Sequence, residues 1–195
     1  MNNMKHKKTN YKYLYIIIPT ALILVMGLAY ILVKNKIDNE FNWISMKEEQ
    51  KLNVPIENQM PDLPNGCEVT SFSMLMNYYG IRVTKNELAQ NIQHVSSFTN
   101  NGKYRGNPNQ GFVGYMSIEN AGWCVYNGPL YNVARKYTNR IQNATGSDFL
   151  SILKLVSDGH PVLIITTTTF NRVNNMQTWE TNTGKVKVTP YSHAC

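Results

Sequence analysis

Helical patterns early in the chain and strand patterns at its end predict an α+β domain, preceded by one membrane-spanning helix. Three observations carry this reading. A twenty-residue run without a charge, Leu14 to Val33, lies near the N-terminus. Apolar residues at helical spacing follow Gly66. A β-rich run and a hairpin pattern occupy the last thirty-five or so residues. At 195 residues the chain has room for about one domain and a small addition. Hydrophobic residues at 43% suffice for a packed core, and charged residues at only 16% exclude a chain kept disordered by its charge.

The run LYIIIPTALILVMGLAYILV is about 30 Å long as a helix, the thickness of a bilayer core. Lys5, Lys7, Lys8 and Lys12 precede it, whereas Lys34 and Lys36 are soon followed by Asp38 and Glu40. The positive-inside rule then places the N-terminus in the cytoplasm and the following domain outside, as a single-pass protein of the cell membrane. A cleaved signal peptide is the competing reading. Gly27-Leu28-Ala29 is a poor cleavage site because Tyr30 to Val33 continue the apolar run, so a retained anchor is preferred. The predicted organisation is a basic tail at 1–13, a transmembrane helix at 14–33, a juxtamembrane linker at 34–53 and a domain at 54–195.

The six lysines named above against two acids account for +4 of the net +7, and the remainder is scattered. No basic stripe exists for nucleic acid, so no such partner is expected. Three cysteines without a C-x-x-C pair argue against a disulfide scaffold or a zinc site. A metal set built from Cys124, His193 and Cys195 lacks a fourth ligand. No cofactor is expected.

Within the domain, Val69, Phe72, Leu75, Met76 and Tyr79 share one face of a helix from Cys67, with Gly80 as its C-terminal stop. Thr84 and Glu87 form a capping-box pattern ahead of Leu88, Ala89 and Ile92. Further helices are expected over 130–137 and 147–158, the second stopped by Gly159 and Pro161. Val162 to Phe170 reads as a central strand, and residues 178–181 and 185–189 as a hairpin around Asn182-Thr183-Gly184. The Gly/Asn-rich stretch Gly106 to Met116 reads equally as a surface loop or as one lining a substrate site.

Cys67, just after Pro64-Asn65-Gly66, starts a helix. Free N–H groups and the positive helix end favour a thiolate there, which makes Cys67 a candidate nucleophile; a buried structural cysteine is the alternative. A thiolate nucleophile needs a base that later protonates the leaving amine. Of four histidines, His6 lies across the membrane, His94 is placed in a helix, and His160 is explained by the turn before Pro161. His193 remains, at a separation from Cys67 close to that of papain-type enzymes. Gln59 and the Cys67 amide are candidate donors to an oxyanion, although spacing alone leaves Gln59 as an ordinary surface glutamine.

The stretch Val54-Pro55 … Gln59-Met60-Pro61-Asp62-Leu63-Pro64-Asn65-Gly66-Cys67-Glu68-Val69-Thr70-Ser71 … Asn77-Tyr78-Tyr79-Gly80 resembles the peptidase C39-like family. So do Gly106 to Gly114, Gly159-His160-Pro161-Val162 and His193-Ala194-Cys195, in the same order. The resemblance implies a papain-like fold with Cys67 as nucleophile, His193 as base and Gln59 as oxyanion donor. The substrate expected is a peptide or cell-wall peptide, hydrolysed at an amide bond. The family places an Asp or Asn after the histidine to orient it. No residue here matches that group, Asp148 and Asp158 included, and the domain is expected to be incomplete at its C-terminus. An inactive peptide-binding module and a cell-wall amidase are the alternatives. Cys124 and Cys195 are either paired or free.

Overall fold

The computed structural model describes residues 14–195, without the side chains of residues 14–16, 39 and 41–45. The expected basic tail, 1–13, lies outside the described residues. The chain divides into two units, Met1–Lys47 and Glu48–Cys195. The first contains α1 (Leu14–Ser45), in which Ile17–Asp38 is long and apolar enough to cross a membrane, as an anchor or a signal sequence. The helix continues through most of the expected linker, because no glycine or proline interrupts the sequence between Leu28 and Ser45.

The second unit is built on α2 (Cys67–Tyr78). Its Val69, Phe72, Leu75 and Met76 are buried with Leu63, Val83, Leu88, Ile92 and Phe112 in the main core. Tyr79, expected on this face, is exposed instead. The helix has ended at Tyr78, and the tyrosine's hydroxyl meets His160 Nδ1 at 3.0 Å. Gly80 has a positive φ of 73°, which favours glycine at the helix stop.

Next comes α3 (Lys85–Asn91), with Thr84 accepting the Glu87 N–H at 3.1 Å as the capping pattern requires. Lys85 is buried. Its ammonium donates to the Asn58 carbonyl at 2.5 Å and the Gln59 carbonyl at 3.2 Å, and pairs with Asp62 at 3.2 Å. Ser73 on α2 also hydrogen-bonds Glu57. The extended stretch carrying Gln59 is thereby tied to α2 and α3.

Short strands follow: β1 (His94–Val95), β2 (Phe98–Thr99), β3 (Tyr104–Arg105) and β4 (Phe112–Val113). His94 thus stands on a strand rather than a helix, because α3 ends at Asn91. β1 pairs with β4 in parallel. Residues 106–108, 111–114 and 116 are buried, so the Gly106–Met116 stretch is interior structure, not an exposed loop. A Cβ on Gly106 would stand 2.4 Å from the Ser96 carbonyl oxygen, which explains the glycine there.

α4 (Asn127–Ala134) starts and ends three residues earlier than the sequence pattern suggests. α5 (Phe149–Ser157) is capped by Asp148, which accepts the Ser151 N–H at 2.9 Å. β5 (Ile165–Thr167) is only three residues long and pairs, among the described residues, with β8 (Ser192–Ala194) alone. The expected central strand is therefore a short flank, limited by the length of its partner.

The hairpin forms as β6 (Gln177–Thr181) and β7 (Gly184–Val188), and β3 joins it in parallel through Arg105 and Thr181. Its Trp179, Val186 and Val188 form a second core with Val113 and Cys124. The Arg105 guanidinium lies 4.8 Å from the Trp179 ring centroid and 5.6 Å from that of Trp123, which meets Trp179 edge-on at 4.7 Å. This packing fixes the segment 122–126.

Two substitutions test these anchors. Trp179→Ala removes the centre of the second core and is expected to cost about 3–5 kcal/mol in a chemical unfolding curve. Lys85→Met leaves the Asn58 and Gln59 carbonyls without their shared donor. It is expected to lower stability by about 2 kcal/mol, read by thermal unfolding.

Candidate active site

The site forms where α2 begins. Leu63 to Gly66 make a turn closed by the Gly66 N–H on the Leu63 carbonyl at 2.9 Å. A Cβ on Gly66 would lie 2.7 Å from that of Leu63, so only glycine fits without movement. Asn65 donates to the Tyr115 and Ile118 carbonyls at 3.0 and 2.6 Å. The residue before the glycine is thus held by the 115–122 loop. Thr70 closes the first turn, its N–H reaching the Gly66 carbonyl at 3.0 Å.

Cys67 is half-buried at the first helical position. Its thiol donates to Glu68 Oε2 at 3.3 Å. Ser71, one turn along, donates to the Ala194 carbonyl at 3.1 Å. The strand β8, which carries His193, is thereby bound to the first two turns of α2. His193 is half-buried and stands opposite Thr166 in the β5–β8 ladder.

Glu68, which the sequence reading did not single out, is buried beside the thiol. Its Oε1 accepts the Val125 N–H at 3.0 Å. Burial pushes its pKa up to about 7, against the lowering effect of hydrogen bonds from the backbone and from Cys67. Cys67 is pushed from 9.0 to about 12, first by burial and then by the charge of Glu68, with the Ala194 N–H opposing. The lowered thiol pKa expected from the helix start is therefore reversed in the resting site. Cys124 is pushed up to about 12 for the same two reasons, opposed by a hydrogen bond with Ser192.

Gln59 is held next to this turn. Its Nε2 donates to the Pro64 carbonyl at 2.7 Å, using one of two amide hydrogens. The other histidines serve elsewhere: His94 Nε2 meets the Ala89 carbonyl at 2.8 Å, and His160 pairs with Tyr79. Asp148 caps α5 and Asp158 pairs with Lys154, so both have local roles. Among the described residues no carboxylate or carboxamide hydrogen-bonds the His193 ring. The three cysteines are free, Cys124 buried and Cys195 exposed. No cluster of three potential metal ligands occurs among the described residues.

A carboxylate beside Cys67 was hidden from the sequence by its commonest explanation. An acid in the first turn of a helix reads as a favourable partner of the helix end. The Cys-Glu pair at a glycine-led helix start was the available signal.

Comparison with known proteins agrees with this architecture. A family model described as Peptidase_C39 like family matches residues 51–195. The Bacillus subtilis (strain 168) protein YvpB, itself uncharacterized, is 41% identical over 146 residues, which are 73% of this chain and 58% of YvpB. The chain thus spans somewhat over half the length of that curated relative. A crystal structure from Bacillus anthracis, of a protein described as a C39-like peptidase, superposes with a TM-score of 0.71 at 42% identity, covering 75% of this chain and 76% of that one. With a glycine-led helix start bearing the cysteine, and the histidine-bearing strand bound against it, the chain belongs to the Peptidase_C39 like family.

Proposed function

We propose that this protein is a membrane-anchored, extracytoplasmic cysteine peptidase that hydrolyses peptide or amide bonds. The observation that carries the reading is the joining of β8 to the start of α2, with Ser71 donating to the Ala194 carbonyl at 3.1 Å, one residue from His193. Cys67 attacks the substrate carbonyl, and His193 takes the thiol proton and returns it to the leaving amine. The raised thiol pKa makes such a base necessary, since the sulfur does not ionise readily alone. The Cys67 N–H, in the first turn and without an acceptor inside the helix, and the second amide hydrogen of Gln59 serve the developing oxyanion. The α1 apolar stretch is the anchor, the lysines before it facing the cytoplasm, and the substrate is a secreted or cell-wall peptide.

One observation favours a second reading, an anchored peptide-binding module without catalysis. The resting thiol is held protonated, and no carboxylate or carboxamide among the described residues orients the imidazole.

Hydrolysis of fluorescein-labelled casein by the full chain in detergent separates the two. The enzyme reading expects Cys67→Ala to abolish turnover and His193→Ala to lower it by about 10²–10⁴-fold. Gln59→Ala is expected to lower kcat by about 10²-fold with little change in KM. Casein that binds but is never cleaved, with Cys67 alkylation indifferent to His193→Ala, establishes the binding module instead.

A further inference from the structure

Among the described residues the Glu68 carboxyl is the one acidic group that hydrogen-bonds the Cys67 sulfur, and it is fixed from both ends. Oε2 accepts the thiol at 3.3 Å while Oε1 accepts the Val125 N–H at 3.0 Å. The residue is 1% exposed. Cys67 and Glu68 come from α2, Cys124 and Val125 from the segment between β4 and α4. Ala194 of β8 accepts from Ser71 on α2 at 3.1 Å. Among the described residues no lysine or arginine forms an ion pair with Glu68.

We propose that Glu68 is a positioning residue that controls ionisation of Cys67, holding the proton on sulfur while it is charged and donating a hydrogen bond to the thiolate while it is neutral. The geometry serves both states. With Glu68 charged, the thiol donates to Oε2. With the proton moved from Sγ to Oε2, the S–H bond is broken, an O–H bond is formed and the negative charge passes from carboxylate to sulfur. Oε1 accepts the Val125 N–H throughout, so the carboxyl does not have to turn. Removing the second proton puts two negative charges side by side in a buried site, which is strongly unfavourable. The direction with pH follows. As pH rises through about 7 Glu68 gains its charge, and ionising Cys67 becomes harder. This inference rests on Cys67 being the reacting group of the proposed peptidase and is independent of His193 being its base.

Glu68→Gln tests it. The carboxamide oxygen still accepts the Val125 N–H, and the amide donates to sulfur without bringing a charge. Alkylation of full-length protein by iodoacetamide between pH 6 and 10 is followed by mass spectrometry of the Cys67 peptide. Alkylation at pH 8 is expected to be about tenfold faster in Glu68→Gln, the fold-change of a thiol pKa lowered by about one unit. The same shift is expected when His193→Ala is combined with it, so failure of the His193 assignment leaves this result readable. A second measurement does not depend on that variant folding. In Cys67→Ala, ¹³C NMR of the Glu68 carboxyl is expected to show a higher midpoint than in the unaltered chain, because the thiol donor is gone. An unchanged alkylation rate and an unmoved Glu68 midpoint overturn the proposal and leave Glu68 as a structural tie between α2 and the 122–126 segment.

Discussion

A single buried carboxyl joins the parts of this domain that chemistry would use. Glu68 accepts a backbone N–H from Val125, fifty-seven residues away in sequence, and the thiol of its neighbour Cys67. An unpaired acid at this depth would be costly, so the segment that supplies the N–H must be held firmly. That requirement explains the architecture around it. Val125 is fixed because Trp123 packs against Trp179 of the hairpin and Arg105 spans both rings. Tyr126 adds a hydrogen bond from its hydroxyl to the Lys187 carbonyl. The second core therefore acts on the site indirectly: it supports the backbone that supports the carboxyl that touches the sulfur.

The other wall of the site has its own support. β8 is held to β5 by three paired residues and to α2 by Ser71. The stretch with Gln59 is held by Lys85 and Ser73. The backbone carrying Gln59 and the strand carrying His193 are thus each tied to α2.

Much of this was legible in the sequence where the determining contacts are local. The periodic face of α2, the Thr84 cap and the turn at Asn182-Thr183-Gly184 all follow from neighbours within a few residues. The misreadings have a common physical cause. Val162 to Phe170 has the composition of a long strand, but strand length is set by the partner, and β8 offers three residues. His94 reads as helical from the sequence, whereas pairing with Phe112 on β4 places it on a strand. Glu68 was passed over because its amide partner lies on a distant segment. Cys67, Gln59 and His193 were singled out from position and resemblance, and their hydrogen-bond surroundings were visible only once the chain was folded.

Magnitudes decide what the helix start does for the sulfur. A charge in the last or first turn of a helix gains about 0.3–1 kcal/mol from the helix end, and up to about 2 kcal/mol when partly buried. Raising the Cys67 thiol from 9.0 to about 12 corresponds to about 4 kcal/mol in the opposite direction. Burial and the adjacent carboxylate therefore outweigh the helix end, and a position that looks activating from sequence is quiescent at rest. Two changes work toward ionisation. Protonating Glu68 removes the neighbouring charge, and a base that accepts the thiol proton leaves a cation to pair with the thiolate. A thiol kept protonated until such a partner is in place is protected from oxidation, since the thiolate is the reactive form.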